Sequence, residues 1–198
     1  MDNFENINNL ISLEKYQEAI GLLKKNIEEN KFYSRSYYYL SEIFRLQGKS
    51  NESHSSLVKA IKCEDVYWEA DYKFANYLNN TQKYEESIIH YNAALSHGDK
   101  SFNILTNLSV AQLLSGKYND AFESLDEAEK LEANSARIHD LRGAIFMAMN
   151  DNDKAISALT KSVEIDPNSP HSFHRLGKCY RNNGDIKQSV SNYKKAIS

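Results

Sequence analysis

The chain has 198 residues, of which 41% are hydrophobic and 26% charged, and its net charge at pH 7 is −3. That balance excludes a disordered chain too poor in apolar residues to build a core, and no apolar run reaches the ~20 residues that cross a bilayer. Only two prolines and seven glycines interrupt it, so helix is permitted almost throughout.

The first twenty residues, MDNFENINNLISLEKYQEAI, lack the basic and apolar regions of a secretory leader. Cys63 and Cys179 are isolated thiols without metal-site spacing. A cytoplasmic location is the expectation. Apolar residues at helical spacing predict a pair of helices over 2–13 and 17–29. Further pairs follow over 34–47 and 51–63, 68–81 and 84–96, 102–115 and 118–131, 136–149 and 152–165, and 170–183 and 186–198. Pro167 and Pro170 flank the junction before the last pair, where one helix stops and the next begins, and Asp166 is placed to cap locally. Charge is uneven along this series. Residues 102–135 hold two basic and six acidic side chains, whereas 170–198 hold six basic and one acidic, an asymmetry that suggests a partner.

The pairs repeat with a period of 34 residues. Stepping from Ala121 reaches Ala19, Ser53, Ser87, Ala155 and Ser189, all small. Stepping from Ala128 reaches Asn26, Ala60, Ala94, Ser162 and Ala196, and a third register holds Ile7, Ser41, Ala75, Ser109, Gly143 and Gly177. Large apolar residues alternate with these sets, as in Leu23, Leu57, Tyr91, Leu125, Leu159 and Tyr193. Turn residues recur as Gly48, Gln82, Gly116, Asn150 and Gly184. Helices whose axes approach closely need small residues at the crossing, so each unit reads as a helix A packed antiparallel on a helix B. Neighbouring units stack to bury what one unit leaves open.

This small/large pattern, the period, LGKCY (Leu176 to Tyr180) and EIDPNSP (Glu164 to Pro170) resemble the tetratricopeptide repeat family across essentially the whole chain. The resemblance is weakest over 1–33, where Ile7 and Asn26 replace small residues. Arg142 stands where the family usually has Leu, with Leu141 beside it as a possible replacement. The family implies an all-α, right-handed superhelix of six hairpins forming one domain over 1–198, with units of approximately 1–33, 34–67, 68–101, 102–135, 136–169 and 170–198. It implies a concave groove, lined by the A helices, that binds a peptide or partner protein.

On that reading Tyr38, Tyr39, Tyr72, Asn76, Asn80, Asn103, Asn107, His174, Arg175, Lys178 and Arg181 are the candidate ligand-binding residues. Arg35, Glu42, Arg45, Lys73, Asn79, Thr106, Val110, Arg137, Asp140, Ala144, Met147 and His171 share their wall. Asn76, Asn80, Asn103 and Asn107 offer amides able to pair with a peptide backbone in either polarity; the alternative is a set of solvated helix faces. His174, Arg175, Lys178 and Arg181 form a basic face on the last A helix, suited to a carboxylate, a phosphate or an acidic peptide, or else a charged end to the array. The inner pattern of repeats that capture acidic chaperone tails (Lys, Asn, Asn, Lys, Arg) is replaced here by Phe4, Asn8, Glu42, Tyr72 and Asn76, so that specificity is rejected.

Catalytic motifs are missing: there is no Gly-rich phosphate loop, no nucleophile elbow and no paired-Cys motif. His171 and His174 lack a third metal ligand, so neither metal nor cofactor is expected. Paired carboxylates such as Glu85 with Glu86, or Asp126 with Glu127, read as solvated faces of B helices. RNA binding is disfavoured by the net charge and by Glu42 and Asp140 on the inner wall. The expectation is a non-enzymatic protein-interaction scaffold, or alternatively the regulatory or docking array of a larger enzyme. Val190, Ile197 and Ile186 would lie bare on the last B helix, so the expectation is either that the chain continues naturally or that another copy covers that end by self-association.

Overall fold

The computed structural model describes residues 3–29, 32–65, 67–98 and 100–197. Among these it contains twelve helices and no strand. They are α1 (Asn3–Ser12), α2 (Tyr16–Glu28), α3 (Tyr33–Leu46), α4 (Ser50–Ala60), α5 (Trp68–Asn80), α6 (Tyr84–His97), α7 (Phe102–Leu114), α8 (Tyr118–Leu131), α9 (Ala136–Ala148), α10 (Asn152–Ile165), α11 (Pro170–Asn182) and α12 (Ile186–Ala196). The fold class is the expected all-α helical repeat. Odd-numbered helices are the A helices and even-numbered ones the B helices. Asp2 and Ser198, the ends of the first and last predicted helices, lie outside the described residues. No described helix is long and apolar enough to cross a membrane. The chain forms two compact units, Met1–Asp99 and Lys100–Ser198, each of three hairpins.

Every A-to-B turn has one construction. The residues at 14, 48, 82, 116, 150 and 184 all have positive φ, between 58° and 81°. Three are Gly, and the others are Glu14, Gln82 and Asn150. The next residue's N–H reaches back to the A helix, as in Lys49 N to Phe44 O (2.8 Å), Lys117 N to Gln112 O (2.8 Å) and Asp185 N to Tyr180 O (2.9 Å). This left-handed closure ends helix A and satisfies its last carbonyls. The B helices then start in two ways. Asp151 and Asp185 accept hydrogen bonds from Lys154 N and Gln188 N, whereas Lys15, Lys49, Lys83 and Lys117 stand at the same place without a side-chain cap. Asp166 accepts from Asn168 N at 3.1 Å, a local turn at the predicted position.

The small registers fall at the A–B crossings. Ala19, Ser87, Ala121 and Ala155 are fully buried. Where serine replaces alanine its hydroxyl finds a carbonyl: Ser53 Oγ donates to Ser41 O at 2.8 Å, and Ser189 Oγ, four repeats later, to Gly177 O at 2.9 Å. Ile7 and Asn26, the large substitutes in the first unit, are accommodated and buried. Arg142 is not accommodated as an apolar residue. Its guanidinium reaches Asp126 (2.6 Å) and Glu129 (2.8 and 3.1 Å) on α8, while Leu141 beside it is buried.

Candidate functional site

The A helices of the first unit carry an aromatic cluster around one cation. Arg35 on α3 places its guanidinium 4.1 Å from the Phe4 ring of α1 and 5.4 Å from the Tyr67 ring. Tyr39 stacks on Phe4 at 5.4 Å. Such arrangements hold the cation by the ring quadrupole. Tyr38 differs from its expected role. It is only 7% exposed and packs against Leu57, Ala60 and Ala70, so it belongs to the core and not to an open wall. Its ring meets Tyr67 at 5.1 Å. Burial, and then the Glu69 carboxylate to which both phenols hydrogen-bond, push the hydroxyls of Tyr38 and Tyr67 far above the ordinary tyrosine range. Neither phenol ionises at neutral pH.

On α5, Tyr72 lies 6.2 Å from the buried Tyr91 ring of α6, and Tyr91 Oη donates to Asn76 Oδ1 at 2.8 Å. That bond orients the Asn76 amide. Asn80 is exposed one turn later. Lys73 pairs with Glu42 at 3.7 Å, and Glu42 with Arg45 at 3.0 Å. Two other predicted wall residues are withdrawn from solvent. Asn79 is half-buried, and Thr106, in the second unit, is fully buried with its hydroxyl on Asn103 O.

In the second unit, polar links join successive A helices. Arg137 of α9 donates to Asn107 Oδ1 of α7 at 2.6 Å. Asp140 of α9 accepts from Ser172 Oγ of α11 at 2.8 Å and pairs with Arg175. Arg175 is thus committed within the fold, and Asp140 with it; the sequence shows both residues but not their pairing. His174, Lys178 and Arg181 are exposed on α11, with His174 against the Tyr193 ring at 5.3 Å. Asn103 is exposed at the start of α7. The amide set therefore divides: Asn76 and Asn80 stand on α5 of the first unit, Asn103 and Asn107 on α7 of the second, and Asn76 and Asn107 already accept hydrogen bonds. The B-helix carboxylates are less idle than expected, since Asp126 holds Arg142, and Glu127 holds Lys100 and Lys130. Glu127's carboxyl is drawn down to about 2 by those two lysines.

Beyond α11 lies a groove of about 480 Å³ lined by Pro170, His174, Val190, Tyr193, Ala196 and Ile197. Val190, Ile186 and Ile197 are 47%, 61% and 88% exposed, as the sequence predicts. No cluster of three or more His, Cys, Asp or Glu side chains able to hold a metal occurs among the described residues. Burial pushes both thiols, Cys63 and Cys179, up and away from the reactive thiolate.

Comparisons with known proteins accord with this architecture. Two tetratricopeptide repeat family profiles match residues 136–169 and 158–190. The chain is 24% identical over 118 residues to the Hsp70-Hsp90 organizing protein of Triticum aestivum, covering 57% of this chain and 20% of that protein. It thus spans about a fifth of that relative's length. Among solved structures, MamA (residue 41 to the end) from Desulfovibrio magneticus RS-1 superposes with a TM-score of 0.71 at 20% identity, covering 83% of this chain and 93% of the other. YrrB, described as a TPR protein with an unusual peptide-binding site, gives 0.68 at 20% identity, covering 88% and 90%. At such identity the two structures speak for the fold.

Proposed function

We propose, from the premise that this chain is built of tetratricopeptide repeats, that it is a non-enzymatic scaffold whose A-helix faces receive an extended peptide or a partner's helix. The observation that carries the reading is the division of labour on α11. Arg175 is neutralised by Asp140, whereas His174, Lys178 and Arg181 stand exposed and have no ion-pair partner among the described residues. A segment with acidic side chains complements that face, and charge of this kind sets specificity and encounter rate more than raw affinity. Val110 and Ala144 occupy on α7 and α9 the repeat position of Lys178, and both are half-buried. They offer apolar contact to the same segment.

The relatives support a protein-binding role. The wheat relative's name describes an organizer of two chaperones, but the inner residues Phe4, Glu42 and Tyr72 do not reproduce a clamp for acidic chaperone tails.

The test is capture on the immobilised chain followed by charge reversal. Lys178→Glu with Arg181→Glu should weaken capture of an acidic partner at least about tenfold. Glu85→Ala with Glu86→Ala, on the exposed face of α6, should leave it intact. A second set, Asn76→Ala, Asn103→Ala and Asn107→Ala, tests the amides. Undiminished capture by both altered sets removes the A-helix faces as the binding surface.

A further inference from the structure

The fifth hairpin departs from the others on one face. In the 34-residue frame, Arg142 stands where the second, fourth and sixth hairpins hold Leu40, Leu108 and Leu176. Those leucines are buried, whereas Arg142 extends to Asp126 and Glu129 on α8. Lys154 stands where the first four hairpins hold Glu18, Glu52, Glu86 and Asp120. An apolar residue on α9 and an acid on α10 have both become cations. The two line one cleft of about 210 Å³, together with His139 and Phe146 of α9 and Ser157 and Lys161 of α10.

Not all the donors in this cleft are used. A guanidinium has five N–H groups, and Arg142 donates two bonds to Glu129 and one to Asp126. Lys154 pairs with Asp151 at 2.7 Å and lies 5.7 Å from the Phe146 ring. Lys161 is different. At its repeat position Lys59 and Lys195 sit over the rings of Tyr37 and Phe173, at 5.5 and 5.2 Å. Where those rings stand, α9 has His139. Lys161 makes no ion pair, hydrogen bond or ring contact among the described residues, although Glu129 lies within its electrostatic reach. Burial, then the charges of Arg142 and Lys161, push His139 below the ordinary histidine pKa against the pull of Glu129. Asp126, Glu129 and Asp151 match the three cations in number, but none of them lines the cleft. The surface that a ligand meets there is cationic.

We infer that this cleft binds the phosphoryl group of a small molecule, either free phosphate or a small phosphate monoester. A tetrahedral oxyanion suits donors that arrive from two helices: the spare guanidinium N–H groups, the Lys161 ammonium and the Ser157 hydroxyl. Its charge of roughly −1.5 to −2 also offsets Lys161 and a protonated His139 together, which a single carboxylate does not. The volume lies below the ~300–1,000 Å³ of sites that enclose a drug-sized ligand, so a small group fits. Phe146 offers an apolar surface to the organic part of an ester. The site uses other residues of α9 than the wall set Asp140, Ala144 and Met147, and it stands whether or not that wall binds a peptide.

The probes are inorganic phosphate and glycerol 3-phosphate, titrated separately into the full chain at constant ionic strength, with chloride as the reference anion. Imidazole proton resonances, assigned with His139→Gln, read the site. The bound anion should raise the titration midpoint of His139 and leave those of His54 and His90 unmoved. Lys161→Gln and Arg142→Leu should each weaken binding at least about fivefold. Lys59→Gln, at the repeat position of Lys161 on α4, should leave it unchanged. Lys161 is exposed, so its variant keeps the fold, as circular dichroism will verify. The tighter of the two probes identifies the source of the phosphoryl group. A His139 midpoint that neither probe moves, an equal response to chloride, or unchanged affinity in Lys161→Gln or Arg142→Leu overturns the inference.

Discussion

Gly143 on α9 and Leu159 on α10 are packed so closely that a β-carbon on the glycine would stand 2.5 Å from Leu159 Cγ. One repeat later the same contact recurs between Gly177 and Tyr193, at 2.8 Å. Real β-carbons do not approach this near, and the atoms met are close to the backbone of their own residues. Gly143→Ala should therefore destabilise the second unit by about 1–3 kcal/mol, and Ala121→Leu at the neighbouring crossing by a similar amount. Urea denaturation of each variant checks this. Unchanged midpoints would mean the helix axes are free to separate.

Arg142 and Glu129 give a pH-dependent prediction. The hydrogen-bonded guanidinium lowers the Glu129 carboxyl pKa. The folded chain therefore releases that proton more readily than the unfolded chain does. The pairing stabilises above the ordinary glutamate value near 4.3, and its contribution is lost as pH falls through the lowered folded value. Because both carboxylates are partly open to water, Arg142→Leu should cost no more than about 0.5–1 kcal/mol at pH 7. The gap between variant and parent melting temperatures should close as pH falls from 7 toward 3.

The left-handed turns at Glu14 and Gln82 hold a side chain where Gly48, Gly116 and Gly184 hold none. The same backbone is cheaper for glycine by about 1 kcal/mol. Gln82→Gly and Glu14→Gly should each raise thermal stability by a comparable amount, less the extra freedom glycine gives the unfolded chain. A fall in melting temperature would show that those side chains have a role of their own.

Asp140 couples stability to the basic face of α11. Asp140→Ala removes the acceptor of both Ser172 and Arg175, which should destabilise by about 1–3 kcal/mol. It also releases Arg175 to join His174, Lys178 and Arg181. Binding of an oligoglutamate peptide, followed by anisotropy at low salt, should then strengthen even as the melting temperature drops. Loss of both together would place Asp140 in the ligand contact itself.

The 34-residue phase, the hairpins and nearly every helix end were legible because the small residues at the crossings are a geometric requirement repeated six times. Helix α4 stops at Ala60, three residues short of its predicted end, because Lys62 N and Cys63 N tighten onto Lys59 O and Ala60 O. Tyr38 was misplaced for a different reason. Repeat position says which side of helix A a residue occupies, not how far its neighbours close over it, and here Tyr67 and Leu57 do so. The pairing of Asp140 with Arg175 was illegible because both positions read as open groove. Arg142 stood out as an exception, but the carboxylates that explain it lie 13 and 16 residues away on α8, beyond any local pattern.

The mixed chemistry at the starts of the B helices sets an order of opening. Asp151 and Asp185 latch the first amides of α10 and α12, each by about 1 kcal/mol. Four lysines leave the corresponding amides of α2, α4, α6 and α8 to water. Fluctuations that unzip a hairpin from its turn thus begin in the earlier repeats, and their first-turn protons trade with solvent soonest. The last two hairpins are the ones held shut at their turns.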